Sequence, residues 1–137
     1  SGGYGFRGHV PERDAVIAGL CFLDLMVATC KTPSQLLDYL FSKVGTHYYN
    51  RRDFHFAEER RADIIERLQQ NKPAAIDGQK VINFDTADGF RFTLADGSWL
   101  LVRFSGTEPL LRIYAESGGK PQVEKILDFG QALTGVK

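Results

Sequence analysis

Two cysteines, one methionine, one tryptophan and no net charge leave several classes of protein out at once. Cys21 and Cys30 are too few for a disulfide framework, and on one helix they would stand about 13 Å apart along the axis, beyond bridging distance. Reduced thiols fit the count, so the expected location is the cytoplasm. Seventeen basic residues balance seventeen acidic ones at a formal charge of +0, so the basic stripe of a nucleic-acid surface is missing and no nucleic-acid partner is expected. His9, His47 and His55 have no metal-ligand spacing with the cysteines. The most apolar stretch falls short of the ~20 residues a bilayer needs. Asp24 interrupts it, with Arg13-Asp14 and Lys31 at its ends, and no membrane span is expected. There is no basic start leading into an apolar run, the mark of a signal peptide, and no internal repeat or low-complexity tract. The chain opens Ser1-Gly2-Gly3 without a methionine and reads as a piece of something longer.

What is present is a chain of 137 residues, 43% hydrophobic, enough for a real core. Gly3-Tyr4-Gly5-Phe6-Arg7-Gly8 satisfies G-x-G-x-x-G, but a helix start at Pro11-Glu12-Arg13-Asp14 follows it. A dinucleotide fold needs a strand before such glycines and a kinase needs one after them, so neither reading has its context. From Glu12 to about Thr29 the pattern is helical and apolar nearly all round, and Thr32-Pro33-Ser34 opens a second helix running to Gly45. Gly45-Thr46-His47 is the expected boundary. Beyond it the chain reads as a strand at 47–56, a charged helix at 57–71 with Ala62, Ile65 and Leu68 inward, and strands at 81–85, 90–94, 99–104 and 110–116. A helix over 121–133 closes the order β-α-β-β-β-β-α, an antiparallel sheet with helices on one face. Arg51, Arg52, Arg60 and Arg61 interleave with Asp53, Glu58, Glu59 and Asp63, which predicts a salt-bridged, solvated face rather than a ligand site.

The richest stretch is Arg103-Phe104-Ser105-Gly106-Thr107-Glu108-Pro109-Leu110-Leu111-Arg112. Setting Leu100, Val102 and Phe104 against Leu111, Ile113 and Ala115 gives a hairpin with one apolar face, and that register puts Arg103 opposite Arg112 beside Tyr114 and Glu116. Facing guanidiniums repel, so an anion between them is expected. Glu108 is the internal candidate and a phosphate the external one. Ser105 and Thr107 add hydroxyls, and Gly106 is expected to let the backbone turn and present N–H groups. A hairpin turn with two merely solvated arginines has the same spacing.

Residues 103–116, Arg-Phe-Ser-Gly-Thr-Glu-Pro-Leu-Leu-Arg-Ile-Tyr-Ala-Glu, resemble the phosphate-binding loop of the C-terminal domain in the phosphohexomutase family, the phosphoglucomutases and phosphomannomutases. The resemblance implies that Arg103, Ser105, Gly106, Thr107 and Arg112 hold the substrate phosphate that is not transferred. Ser1-Gly-Gly-Tyr-Gly-Phe-Arg-Gly-His-Val-Pro-Glu-Arg-Asp is similar to that family's sugar-selecting loop, which implies Ser1 and Arg13 as sugar contacts. Against the family pattern, Ala15 replaces a common glycine and His9 has no settled register.

The implied fold is α+β: residues 1–45 are the helical end of the third domain, and 46–137 a C-terminal domain resembling the TATA-binding-protein platform. The implied activity interconverts glucose 1-phosphate and glucose 6-phosphate through a phosphoserine enzyme and glucose 1,6-bisphosphate, with Mg²⁺. A phosphomannomutase, a dual-specificity enzyme and a non-catalytic phosphate-binding module are the alternatives. No Asp-x-Asp-x-Asp run and no Ser-His pair occurs, so the phosphoserine and the metal ligands are expected upstream, and this stretch alone is expected to be inactive. Its partners are then a phosphosugar and upstream domains, and the helices of residues 12–44 are expected to bury their apolar faces by self-association, by docking on the rest of the chain, or not well at all. A hinge near Gly45 is implied for closing on substrate.

Overall fold

Helix α1, Ala15–Thr29, begins where a side chain can close its end. Asp14 Oδ1 accepts hydrogen bonds from the N–H groups of Val16 at 2.9 Å and Ile17 at 3.0 Å. The expected start at Glu12 is therefore too early, because the first-turn donors need an acceptor and Asp14 supplies it. That N–H bond from Ile17, followed by the one from His9, holds the Asp14 carboxyl below its ordinary range. The helix stops at Cys30, which turns into the left-handed region at φ 52°.

Thr32 then forms a reciprocal cap, its hydroxyl accepting from Gln35 N–H while Gln35 Oε1 accepts from Thr32 N–H at 2.9 Å. Helix α2, Pro33–Val44, follows and ends at Gly45. The computed structural model describes residues 5–10 and 12–136, which divide into the units Ser1–Gly45 and Thr46–Lys137. In the first unit neither helix contains a buried residue, and Val16, Leu20, Leu23, Val27, Leu37 and Leu40 are all exposed. Among the described residues no single helix is long and apolar enough to cross a membrane, and α1 and α2 pass that test only as a pair bent by 83°.

The second unit is an antiparallel six-stranded sheet with two helices, an α+β arrangement. Its elements are β1 (Tyr48–His55), α3 (Arg61–Gln70), β2 (Ala75–Ile76), β3 (Gln79–Asp85), β4 (Phe90–Leu94), β5 (Trp99–Phe104), β6 (Leu110–Ser117) and α4 (Lys120–Thr134). The strands lie in the order β1-β6-β5-β4-β3-β2. Alternation along them sorts the side chains by face: Phe90, Phe92, Leu94, Leu100, Val102, Leu111, Ile113 and Ala115 are buried, and they form one core with Ile64, Leu68, Val123, Ile126 and Leu127 of the helices.

Two details differ from the sequence reading. Ala62 is exposed, and the buried pair on α3 is Ile64 and Leu68, with Ile65 partly buried. A three-residue 3₁₀ turn at Glu58–Arg60 delays the α-helix to Arg61. The short β2 was not expected. It is joined to β3 by Asp77 and Gly78, both at positive φ (46° and 77°), a two-residue turn whose hand suits the twist of a hairpin.

The edge strand β1 is tied to α4 by charge. Arg52 Nη2 meets Glu124 Oε2 and Arg52 Nη1 meets Asp128 Oδ1, each at 2.7 Å. These hydrogen bonds raise the pKa of Arg52, and the bond from Arg52, followed by that from Asn50, lowers that of Glu124. Of the interleaved charges, Arg51 pairs with Asp53 and Arg61 with Glu58 as expected, whereas Arg52 finds its partners 72 and 76 residues away and Arg60 Nη2 donates to the Gly135 carbonyl.

Candidate functional site

Strands β5 and β6 pair Leu100 with Ala115, Val102 with Ile113 and Phe104 with Leu111, which leaves Arg103 directly across from Arg112. The apolar members of this ladder turn toward the helices. The two guanidiniums therefore share the uncovered face, at the mouth of the Ser105–Pro109 connection. Pairing across to β1 extends the same face through Asp53, Arg51 and Tyr49. Tyr49 lies 6.3 Å from both the Trp99 and the Tyr114 ring.

Each arginine has a carboxylate, and neither carboxylate is Glu108. Arg103 Nη1 is 3.1 Å from Asp88 Oδ2, on the turn between β3 and β4. Arg112 Nε is 3.9 Å from Asp53 Oδ2, an ion-pair distance too long for a hydrogen bond, and Asp53 is also held by Arg51 Nε at 2.9 Å. Arg112 Nε is buried without a hydrogen-bond partner among the described residues. A buried donor left in that state costs about 1–3 kcal/mol, which an arriving acceptor would recover. Glu108 belongs instead to the rim of the bend.

At the bend itself, Ser105 is buried and its N–H donates to the Leu110 carbonyl at 2.8 Å, closing the neck of the loop. Its hydroxyl sits 3.5 Å from both the hydroxyl and the N–H of Thr107, the outer limit of a hydrogen bond, so these polar groups gather without saturating one another. Of what was expected of Gly106, the turn that only glycine could make is not found. Its φ lies outside the left-handed region, so the turn does not require glycine, and a Cβ there would meet nothing within 4 Å. What glycine provides at 106 is room. A cavity of about 260 Å³ opens here, lined by Glu58, Arg61, Ser105, Gly106, Thr107, Glu108 and Pro109.

Two residues outside the hairpin shape the site. Gly89, at φ 112°, lies against β5 so closely that a Cβ would come within 2.6 Å of the Val102 carbonyl oxygen and 3.2 Å of Arg103 Cβ. The absence of that carbon lets the Asp88 turn reach Arg103. Arg61 is the basic group bordering the cavity. The Glu58-x-x-Arg61 spacing discloses its ion pair but not its nearness to a loop more than forty residues on.

The remaining site expectations fall elsewhere. Ser1 lies outside the described residues. Arg13 belongs to the first unit, one residue before the cap of α1. Among the described residues no three His, Cys, Asp or Glu side chains converge as a metal would need, so these residues do not fit Mg²⁺.

The model of the C-terminal domain of phosphoglucomutase/phosphomannomutase matches residues 55–129, and that of its alpha/beta/alpha domain III matches residues 1–44. Over 130 residues the chain is 29% identical to a phosphoglucomutase/phosphomannomutase of Thermococcus kodakarensis, covering 95% of this chain and 26% of that protein. It is 30% identical over 122 residues to a probable phosphomannomutase of Haemophilus influenzae, covering 81% and 25%. With a phosphoglucosamine mutase of Methanococcus aeolicus it shares 27% over 117 residues, 85% and 24% of the two chains. The chain thus spans about a quarter of the length of these relatives.

Proposed function

The chain belongs to the phosphoglucomutase/phosphomannomutase family, and from that premise we propose that its second unit grips the non-reacting phosphate of a sugar phosphate. The observation that carries this reading is the Arg103–Arg112 pair at the root of the Ser105–Thr107 bend, with Arg112 Nε buried and without a hydrogen-bond partner among the described residues. Phosphate suits such a setting: it accepts from two guanidiniums, two hydroxyls and the backbone N–H groups at once, and each charge-assisted bond nets about 1.5–3 kcal/mol. On arrival it takes over from Asp88 and Asp53, carboxylates that hold the arginines apart from one another's repulsion.

Grip of this kind serves catalysis by placement. Binding energy from the distal phosphate fixes the reacting hydroxyl where phosphoryl transfer occurs. The transfer itself is from a phosphoserine on the enzyme, through a sugar bisphosphate, and the Mg²⁺ of that reaction would be held by residues other than those described. A pocket that must receive either end of the bisphosphate reads phosphate and not sugar, which fits relatives named for glucose, mannose and glucosamine phosphates. Glucose 1-phosphate to glucose 6-phosphate is the proposed reaction, with mannose phosphate as the second substrate, and Ser1 and Arg13 as proposed sugar contacts.

The test is the full-length enzyme with Arg112→Ala. Its kcat/KM on glucose 1-phosphate should fall about 10- to 100-fold. Phosphorylation of the enzyme by bisphosphate in an excess sufficient to saturate it should persist. An unchanged kcat/KM rejects the assignment, and phosphate uptake without isomerisation by the complete protein would mark a binding module instead.

A further inference from the structure

Resting on the reading of the bend as a phosphate receptor, we propose that Arg61 is a further phosphate ligand of that receptor, held ready by Glu58 and released to the anion when it binds. Three observations place it. Arg61 lines the 260 Å³ cavity together with Ser105, Gly106 and Thr107, whereas Arg103 and Arg112 stand at the loop's root on the uncovered sheet face. Its guanidinium carbon lies 4.7 Å from the centre of the Phe104 ring and 5.7 Å from that of Phe56. Those two rings meet edge to face at 5.5 Å, so they form a firm floor. Arg61 Nε donates to Glu58 Oε1, and Nη2 to Glu58 Oε2 at 3.4 Å.

Stacking on a ring fixes the plane of a guanidinium while leaving its edge free to donate. Glu58 occupies two of the five N–H groups, so the others remain for an oxyanion in the cavity. Charge gives the same answer. Among the lining residues Glu58 and Glu108 are carboxylates and Arg61 alone is cationic, so of these residues only Arg61 offsets their repulsion of a phosphate. With it, a dianion competes with Glu58 for the guanidinium. The arrangement repeats at the other two arginines, Arg103 with Asp88 and Arg112 with Asp53: each cation waits on a carboxylate that a phosphate displaces.

The proposal predicts opposite effects from the two partners of one ion pair. The 137-residue chain is titrated calorimetrically with inorganic phosphate, with melting curves taken on every variant. Arg61→Gln should weaken binding about fivefold or more, and Glu58→Gln should tighten it about threefold, since it frees the arginine and removes a repelling charge. The Arg61 ¹⁵Nε resonance of the parent should shift as phosphate is added, a readout that does not depend on Arg61→Gln folding. If Arg61 merely braces the fold, Glu58→Gln weakens binding or leaves it alone and the resonance stays put, which overturns the proposal. Arg103→Gln separates the two levels. Should it abolish binding while both Arg61→Gln and Glu58→Gln stay within twofold of the parent, Arg61 is no ligand and the receptor stands. Should the parent take up no phosphate, or Arg103→Gln change nothing, the receptor falls and this inference with it.

Discussion

Gly89 and Gly106 do different jobs, and the difference is open to measurement. At Gly89 a methyl group would press to 2.6 Å from a carbonyl oxygen, in a backbone conformation that side chains avoid. Gly89→Ala should therefore cost about 2 kcal/mol or more of stability, seen as a lower denaturant midpoint, and it should pull Asp88 off Arg103. At Gly106 a methyl group meets nothing within 4 Å among the described residues. Gly106→Ala should leave the midpoint within about 0.5 kcal/mol of the parent yet weaken phosphate binding about tenfold, because the methyl occupies space meant for the ligand. A stable Gly89→Ala, or a Gly106→Ala that binds normally, would contradict these roles. The sequence shows glycine at both places without telling them apart, since each stands beside turn residues; only the neighbouring strand makes one glycine structural.

Among elements, the link from β1 to α4 depends on pH through Glu124. Its carboxyl titrates below the ordinary value because Arg52 and then Asn50 donate to it. A carboxyl with a depressed folded pKa adds stability above its unfolded pKa, near 4.3, and loses that contribution as pH falls through the folded value. Glu124 is half exposed, so the contribution stays below about 1 kcal/mol. Denaturation followed between pH 6 and pH 3 should show a shallower acid limb for Glu124→Gln than for the parent. An identical limb would place the linkage elsewhere. The elements themselves were largely legible: the period-2 runs of β4, β5 and β6 and the apolar side of α4 are plain in the chain, and the Arg103–Arg112 register follows from them. The two-residue β2 was not, because so short a run carries no period, although Asp77-Gly78 was a turn signal that marked the spot. On α3 the expected set is off at Ala62 because Ile64, Leu68 and Ile65 fall together within about 100° of the helix circumference and Ala62 lies outside that arc.

At the scale of the whole molecule the two units differ in kind. Thr46–Lys137 has a core of its own; Ser1–Gly45 offers two apolar helices with no buried residue in either. Exposed apolar area on that scale seeks cover, and we propose a second copy of the chain as cover in dilute solution. Sedimentation velocity should show the weight-average mass rising across micromolar concentrations, and Leu20→Glu with Leu37→Glu should return it to that of a monomer. A constant monomer mass in the parent would dismiss self-association.

Composition and alternation by themselves determined the α+β class, the pairing of the hairpin and the gathering of Arg103, Ser105, Thr107 and Arg112 near one turn, because strand period and register are local properties of the chain. Which carboxylate each arginine leans on, the space above Gly106 and the arrival of Arg61 at the bend were decided only by tertiary structure. Those contacts join residues far apart in sequence, and their distances are set by how the helices pack on the sheet, which no local pattern encodes.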